Sequence, residues 1–316
     1  MNRLPNGPTL VTGAAGFAGS HLVELLVSTG ADVVAWHRPG GNTPLSSGRV
    51  RAEAVDLLDR RTVADRIARD RPATVYHCAG AAHVGRAWDN TAATLDANVR
   101  GTHYLVEALR AARLAPVLFV PGSAMIYRVS DQPLAEDAPI QPSNPYGLSK
   151  LAQERLALRA MADGIDVRVG RAFNHIGPRQ DPSFAASGFA KQIAEIERGQ
   201  RQPVIVVGNL EARREATHVA DTVRAYHAIV ERGVPGRAYN VSSGQAYAVG
   251  EVLERLIAKA RVEVAVRVDP SRLRPNDVPV LAGNPARIRE EVGWSPNIGL
   301  ERTLDSILEY WRSRLR

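Results

Sequence analysis

Short runs of apolar and β-branched residues recur through the first half of the chain. Each is followed by a longer stretch in which apolar positions return every three or four residues. "TLVTG" precedes a helix predicted from about Gly19 to Thr29. "DVVAW" and "VRAEAVDL" precede a helix through "RTVADRIARD". "ATVYHCAG" precedes a helix around "DANVRGTHYLVEALRAA", "PVLFVPG" one from "NPYGLSKLAQERLALRA", and "DVRVGRAF" closes the series. Such alternation predicts right-handed βαβ units and a parallel sheet covered by helices on both faces. The rhythm breaks after Phe173, where Gly, Pro and polar residues cluster in "NHIGPRQDPSFAASG". Residues 1–173 are therefore expected to form one α/β domain and 174–316 mainly a smaller α/β domain. Part of the segment near 214–245 is expected to return to the first.

The first strand runs into "TGAAGFAGSHL", which sets Gly13, Gly16, Phe17 and Gly19 at a strand–helix turn. Glycines there permit a tight turn and close approach of a pyrophosphate, and the helix start supplies free N–H groups. This predicts dinucleotide binding. After "VVAW" no carboxylate appears where a NAD site places one on the ribose; His37 and Arg38 stand there instead. An arginine pairs with a 2′-phosphate that a carboxylate would repel, so NADP(H) is expected ahead of NAD(H). Asp56 and Leu57, where the next strand ends, are placed to meet the adenine. The small residues of "CAGAA", Ala79 and Gly80 among them, let a cofactor lie flat.

Composition narrows the surroundings. The chain has 316 residues, a net charge of +7 and one cysteine. The arginines alternate with acids along helical stretches, without a basic block. Solvated helix faces and a phosphate-bearing small molecule explain the charge; a nucleic-acid partner is not expected. No apolar run approaches the roughly 20 residues of a membrane span. With a lone Cys78 and a start that leads directly into a strand, the expectation is a cytoplasmic protein.

"NPYGLSK" carries the chemistry. Asn144 and Pro145 suit a helix start, and Tyr146 and Lys150 fall one turn apart on the same face. A free tyrosine titrates near 10. An ammonium about 4 Å away favours the phenolate by up to about 4 kcal/mol at an effective dielectric near 20. That brings the phenol towards the working range of a general acid/base. Upstream, "GSAMIY" offers Ser123, but Met125, two residues on, cannot move a proton.

Together "TGAAGFAGSHL", "VDLLD", "VYHCAGAAHVG", "NVRGTHYLVEA", "PYGLSK" and "GRAFNHIGPRQ" resemble the extended short-chain dehydrogenase/reductase (NAD-dependent epimerase/dehydratase) family. The resemblance implies a Rossmann-type doubly wound sheet with a smaller substrate domain. It implies catalytic roles for Ser123, Tyr146 and Lys150, with Lys150 also on the nicotinamide ribose and Asn98 supporting the lysine. "VGNLEARRE", "AYNVSSGQAY", "DPSRLRPNDVPVLAGNPARIREEVGWSPNI" and "YWR" resemble enzymes acting on GDP-4-keto-6-deoxy-mannose, the dehydratases and reductases. This implies Asn174, Arg214 and Arg274 on the diphosphate or nucleotide and Asp277 near its ribose. The dehydratases carry a glutamate where this chain has Met125, and a 3,5-epimerase group a cysteine. Without that base the expected reaction is NADPH-dependent reduction of the C4 ketone, with GDP-4-dehydro-6-deoxy-D-mannose giving GDP-D-rhamnose or GDP-6-deoxy-talose. A 4-epimerase, a 4,6-dehydratase and a non-catalytic NADP-binding regulator are the alternatives. The family also implies a homodimer through the helices near 96–112 and 146–160. This chain departs from the family at Gly122, at Arg128, and at Arg214-Glu215, where an Arg-Asp pair is common.

Overall fold

In the computed structural model, which describes residues 7–42, 48–272 and 278–315, neighbouring apolar residues of the central strands face opposite helical layers. The strands β1 (Thr9–Thr12), β2 (Val33–His37), β3 (Val50–Ala54), β4 (Thr74–His77), β5 (Val117–Ser123) and β6 (Asp166–Ala172) join a seventh, Ala238–Val241, in one sheet. From edge to edge the order is Ala238–Val241, β6, β5, β4, β1, β2, β3, and every pairing is parallel. Chain order reverses between β1 and β4. That is the switch point outside whose strand ends ligands bind in open α/β sheets.

The helices are α1 (Phe17–Ser28), α2 (Arg60–Asp70), the short α3 (Val84–Asp89) and α4 (Thr91–Leu95), α5 (Gly101–Ala111), α6 (Pro145–Arg159), α7 (Ala185–Glu197) and α8 (Val219–Arg232). Val11, Tyr76 and Phe119 face α1 and α8, where they meet Leu22, Tyr226 and Ile229. Leu10, Val75 and Leu118 face α2, α5 and α6, among Ile67, Leu105 and Ala157. The two-residue alternation of a strand thus fills two cores at once, and each run reads as continuously apolar. α8 and the strand Ala238–Val241 come from the second half of the sequence but complete this first unit.

The rest of the second half builds around its own core of Phe189, Ile193, Ile205, Val207, Leu253, Leu256, Leu304 and Ile307. Short strands serve it: Val204–Val207 pairs with Ala265–Val268, and Arg213–Glu215 with Ala246–Ala248 and Val280–Leu281. Among the described residues no helix is long and apolar enough to cross a membrane.

Candidate active site

The carboxyl ends of β1, β4 and β5 converge on one crevice. Gly13 leaves β1 with φ of 66°, in the left-handed region that favours glycine, and a Cβ there would lie 2.7 Å from Ala79. A Cβ on Gly19 would lie 2.1 Å from the Gly13 carbonyl. These two contacts let the turn, the start of α1 and the β4 loop close on one another. Gly16 begins α1 with no side-chain cap, and the first turn has no acidic residue. Its N–H groups and the positive end of its dipole remain available to an anion. The crevice therefore suits a dinucleotide pyrophosphate. Phe17 lies beside this turn and stacks on His175 with ring centroids 5.5 Å apart.

His37 ends β2 half-buried, and Arg38 follows it exposed. Asp56 is exposed, and its carboxylate accepts the Leu58 N–H at 2.9 Å. Leu57 packs against the start of α5. Gly80 has φ of 150°, and a Cβ there would meet the Asn98 Oδ1 at 2.4 Å. Asn98 ties the β4 loop to α6. Its Oδ1 accepts the Ala81 N–H at 2.8 Å, and its Nδ2 donates to the Ala81 carbonyl at 3.1 Å and to Ser149 Oγ at 2.8 Å.

α6 begins as its sequence dictates. Asn144 Oδ1 accepts the Gly147 N–H at 2.8 Å, and Pro145 occupies the first turn. Gly147 lies against the turn Ala124–Ile126, where a Cβ would stand 2.2 Å from the Met125 carbonyl oxygen. This close approach delivers Tyr146 to Ser123, whose hydroxyl hydrogen-bonds the phenol. Ser123 Oγ also accepts the Met125 N–H at 3.2 Å.

The electrostatics differ from the sequence expectation that Lys150 depresses the tyrosine. Burial raises the Tyr146 phenol, and the hydrogen bond with Ser123 is what opposes it. The Lys150 ammonium is instead hydrogen-bonded to Gln153 Oε1. Burial lowers the lysine to about 8, against the opposing influence of Cys78 and Glu154. In this arrangement Tyr146 is a protonated donor at neutral pH.

Met125 stands half-buried in the turn after Ser123. Nearby buried carboxylates are occupied. Glu154 accepts two bonds from Arg171, at 2.7 and 3.0 Å. Glu215 accepts from Ser242 Oγ at 2.6 Å, from the Ser243 N–H at 2.6 Å and hydroxyl at 3.0 Å, and from the Gly283 N–H at 2.8 Å. Glu215 was legible only as a departure from an Arg-Asp pair. Here it ties its own strand to the Ser242–Ser243 and Gly283 loops beside Arg214, which is half-buried and donates to the Arg213 carbonyl at 2.9 Å. Asn174 is exposed just beyond the end of β6, and its carbonyl accepts the Thr217 N–H at 3.3 Å. Arg274 and Asp277 lie outside the described residues. Among the described residues no cluster of His, Cys, Asp or Glu is arranged to hold a metal.

Comparison with known proteins agrees with this architecture. The model of the family described as GDP-mannose 4,6 dehydratase matches residues 10–307. The chain is 34% identical to the GDP-6-deoxy-D-mannose reductase of Pseudomonas aeruginosa over 310 residues, 97% of each chain. It is 27% identical to a UDP-glucose 4-epimerase of Bacillus subtilis, over 96% of this chain and 95% of the other. The solved structure of RMD from Pseudomonas aeruginosa complexed with NADPH superposes with a TM-score of 0.86 at 32% identity, over 98% of this chain and 100% of that one.

Proposed function

We propose, from the premise that this chain belongs to the GDP-mannose 4,6-dehydratase family, that it is an NADPH-dependent ketoreductase of that family. The substrate we infer is a nucleotide-linked 4-keto-6-deoxyhexose, GDP-4-dehydro-6-deoxy-D-mannose before others. The product is GDP-D-rhamnose or GDP-6-deoxy-talose, according to the face attacked. NADPH supplies the hydride that reduces C4. Tyr146 gives its proton to the developing alkoxide, Ser123 hydrogen-bonds the ketone oxygen, and Lys150 orients the nicotinamide ribose. The glycine turn and α1 hold the pyrophosphate, Arg38 faces the 2′-phosphate, and Asp56, Leu57, Ala79 and Gly80 line the adenine and ribose. Residues 1–173, completed by the returning segment near 214–245, carry the cofactor. Residues 174–316 carry the nucleotide sugar, with Asn174, Arg214, Arg274 and Asp277 on its diphosphate and ribose.

One observation carries the choice of reduction over elimination. Met125, which cannot accept a proton, occupies the turn behind a Ser123-bonded, protonated Tyr146. Removal of a proton beside a carbonyl needs a positioned base; delivery of one to an alkoxide needs only the phenol. Support for the cofactor comes from the neighbour solved with NADPH. The test is a coupled assay of GDP-mannose, a GDP-mannose 4,6-dehydratase, this protein and NADPH, with the product sugar identified by NMR. NADPH oxidation that depends on both proteins and yields a 6-deoxyhexose supports the reading. Turnover of GDP-mannose by this protein alone would instead identify a dehydratase. Tightly held, non-exchanging NAD⁺ would identify an epimerase.

A further inference from the structure

Behind the crevice a continuous line of buried side chains joins the catalytic helix to the glycine turn. The Lys150 ammonium donates to Gln153 Oε1. Gln153 Nε2 donates to Thr102 Oγ1 at 2.9 Å, and Thr102 meets His77 Nε2 at 2.8 Å. His77 Nδ1 meets Thr12 Oγ1 at 2.9 Å, and Thr12 Oγ1 accepts the Ala79 N–H at 3.2 Å. Thr12, Thr102 and Gln153 are fully buried, and His77 is 1% exposed. The line crosses from α6 through α5 and β4 to the last residue of β1.

Donor and acceptor counts fix its direction. The single hydroxyl proton of Thr102 goes to the Asn98 carbonyl, 2.7 Å away. Thr102 must therefore accept from both Gln153 and His77, which places the His77 proton on Nε2. His77 Nδ1 is then an acceptor, filled by the Thr12 hydroxyl. Each bond along the line thus runs in one sense. The line cannot pass a proton from the lysine onward, because the ammonium ends on an amide oxygen and the Thr102 proton points elsewhere. It is a brace. Its amide is locked at the far end by Thr102, so Gln153 presents one fixed oxygen to one fixed place.

We propose that Gln153 is the positioning residue of Lys150. It holds the ammonium in a single orientation between the catalytic helix and the dinucleotide turn, and the Thr102–His77–Thr12 brace transmits the placement of that turn to it. The inference rests on the reading of Lys150 as a cofactor-orienting residue. Gln153 lies one helical turn beyond Lys150, fully buried between the lysine and Thr102 of α5, so it acts through the lysine.

Two substitutions separate positioning from packing in the full chain. Gln153→Met keeps the volume and removes the acceptor. Gln153→Glu keeps an acceptor for the lysine and removes the donor to Thr102. Turnover, the KM for the 4-keto sugar, the NADPH dissociation constant by fluorescence and the thermal midpoint are measured for each. Gln153→Met is expected to lower kcat about tenfold, as loss of a hydrogen bond to a charge does. It should weaken NADPH several-fold and leave the sugar KM within about twofold. Gln153→Glu is expected to keep at least about fivefold more turnover than Gln153→Met, whatever the order of their midpoints. Wild-type-like turnover and NADPH affinity in Gln153→Met would overturn the proposal, as would a Gln153→Glu variant no more active than Gln153→Met. If the unmodified protein reduces no 4-keto sugar, the proposed reaction fails by itself. The order of NADPH affinities, with Gln153→Met weakest, then still decides the role of Gln153.

Discussion

Tyr146 keeps its proton because it is buried and because its hydrogen bond with Ser123 does not fully offset that burial. A reductase needs such a donor at the moment an alkoxide forms. Tyr146→Phe removes the donor and little of the ring surface. It is expected to leave less than a tenth of wild-type turnover with NADPH affinity within a few-fold; steady-state kinetics beside a fluorescence titration checks both. Met125 makes the complementary case. Met125→Glu is expected to place a carboxylate near C5 of the bound sugar, where the neighbouring ketone acidifies the proton. With the 4-keto sugar in deuterated water, the variant should incorporate deuterium at C5 faster than the wild type. Full dehydration is not expected, since misplacement by about 1 Å costs roughly a hundredfold. Equal exchange in the wild type would reveal another base. The pairing of Tyr146 with Lys150 was legible in the sequence because it is local, two positions one turn apart, whereas Ser123 was legible only through the family resemblance. Gln153 and Glu215 were not. Their partners are Thr102, 51 residues away, and Gly283, 68 residues away, and only the fold brings these together.

At the scale of elements the strand–helix alternation was legible almost throughout, because each buried strand presents a continuous apolar run. What it left out is the break in the helix read around residues 96–112. The segment Asp96–Arg100 is a π-helical turn between α4 and α5. Such a bulge shifts the following side chains, and this one carries Asn98 onto the β4 loop and Ser149. Apolar periodicity cannot reveal it, since its buried residue, Asn98, is polar and bonds across elements. The contact of α6 with the turn after β5 was equally hidden, although Gly147 is its mark. Gly147→Ala must push the Met125 carbonyl away, because the clash is with backbone. The expected cost is roughly 1–3 kcal/mol, read as a lower thermal midpoint, together with a more than tenfold loss of kcat as Tyr146 moves off Ser123. Arg38 belongs to the end of β2, exposed and outside the brace. Arg38→Ala is expected to weaken NADPH and leave NADH nearly unchanged. An unaltered ratio of the two affinities would show that this arginine faces solvent in the complex.

Among the described residues, an apolar surface that the cores do not use runs along α6. On α6, Leu148 is 52% exposed, and Ala152 and Leu156 follow at intervals of one turn, half-buried on the same face. On the adjoining α5, Tyr104 is also half-buried. Positions four apart form a continuous stripe along a helix, so this stripe is an apolar ridge beside Tyr146 rather than scattered surface residues. A second copy related by a two-fold axis would pack the same ridge against itself, as most soluble homodimers do. The protein is therefore expected to sediment as a dimer at micromolar concentration. The double variant Leu148→Glu, Leu156→Glu would bring four carboxylates together across that axis and is expected to sediment as a monomer with its secondary structure intact. Because Tyr146 and Lys150 stand on the same helix, the monomer should also lose turnover more than it loses NADPH affinity. A wild type that sediments only as a monomer, or a double variant that remains dimeric, would exclude α5 and α6 as the interface.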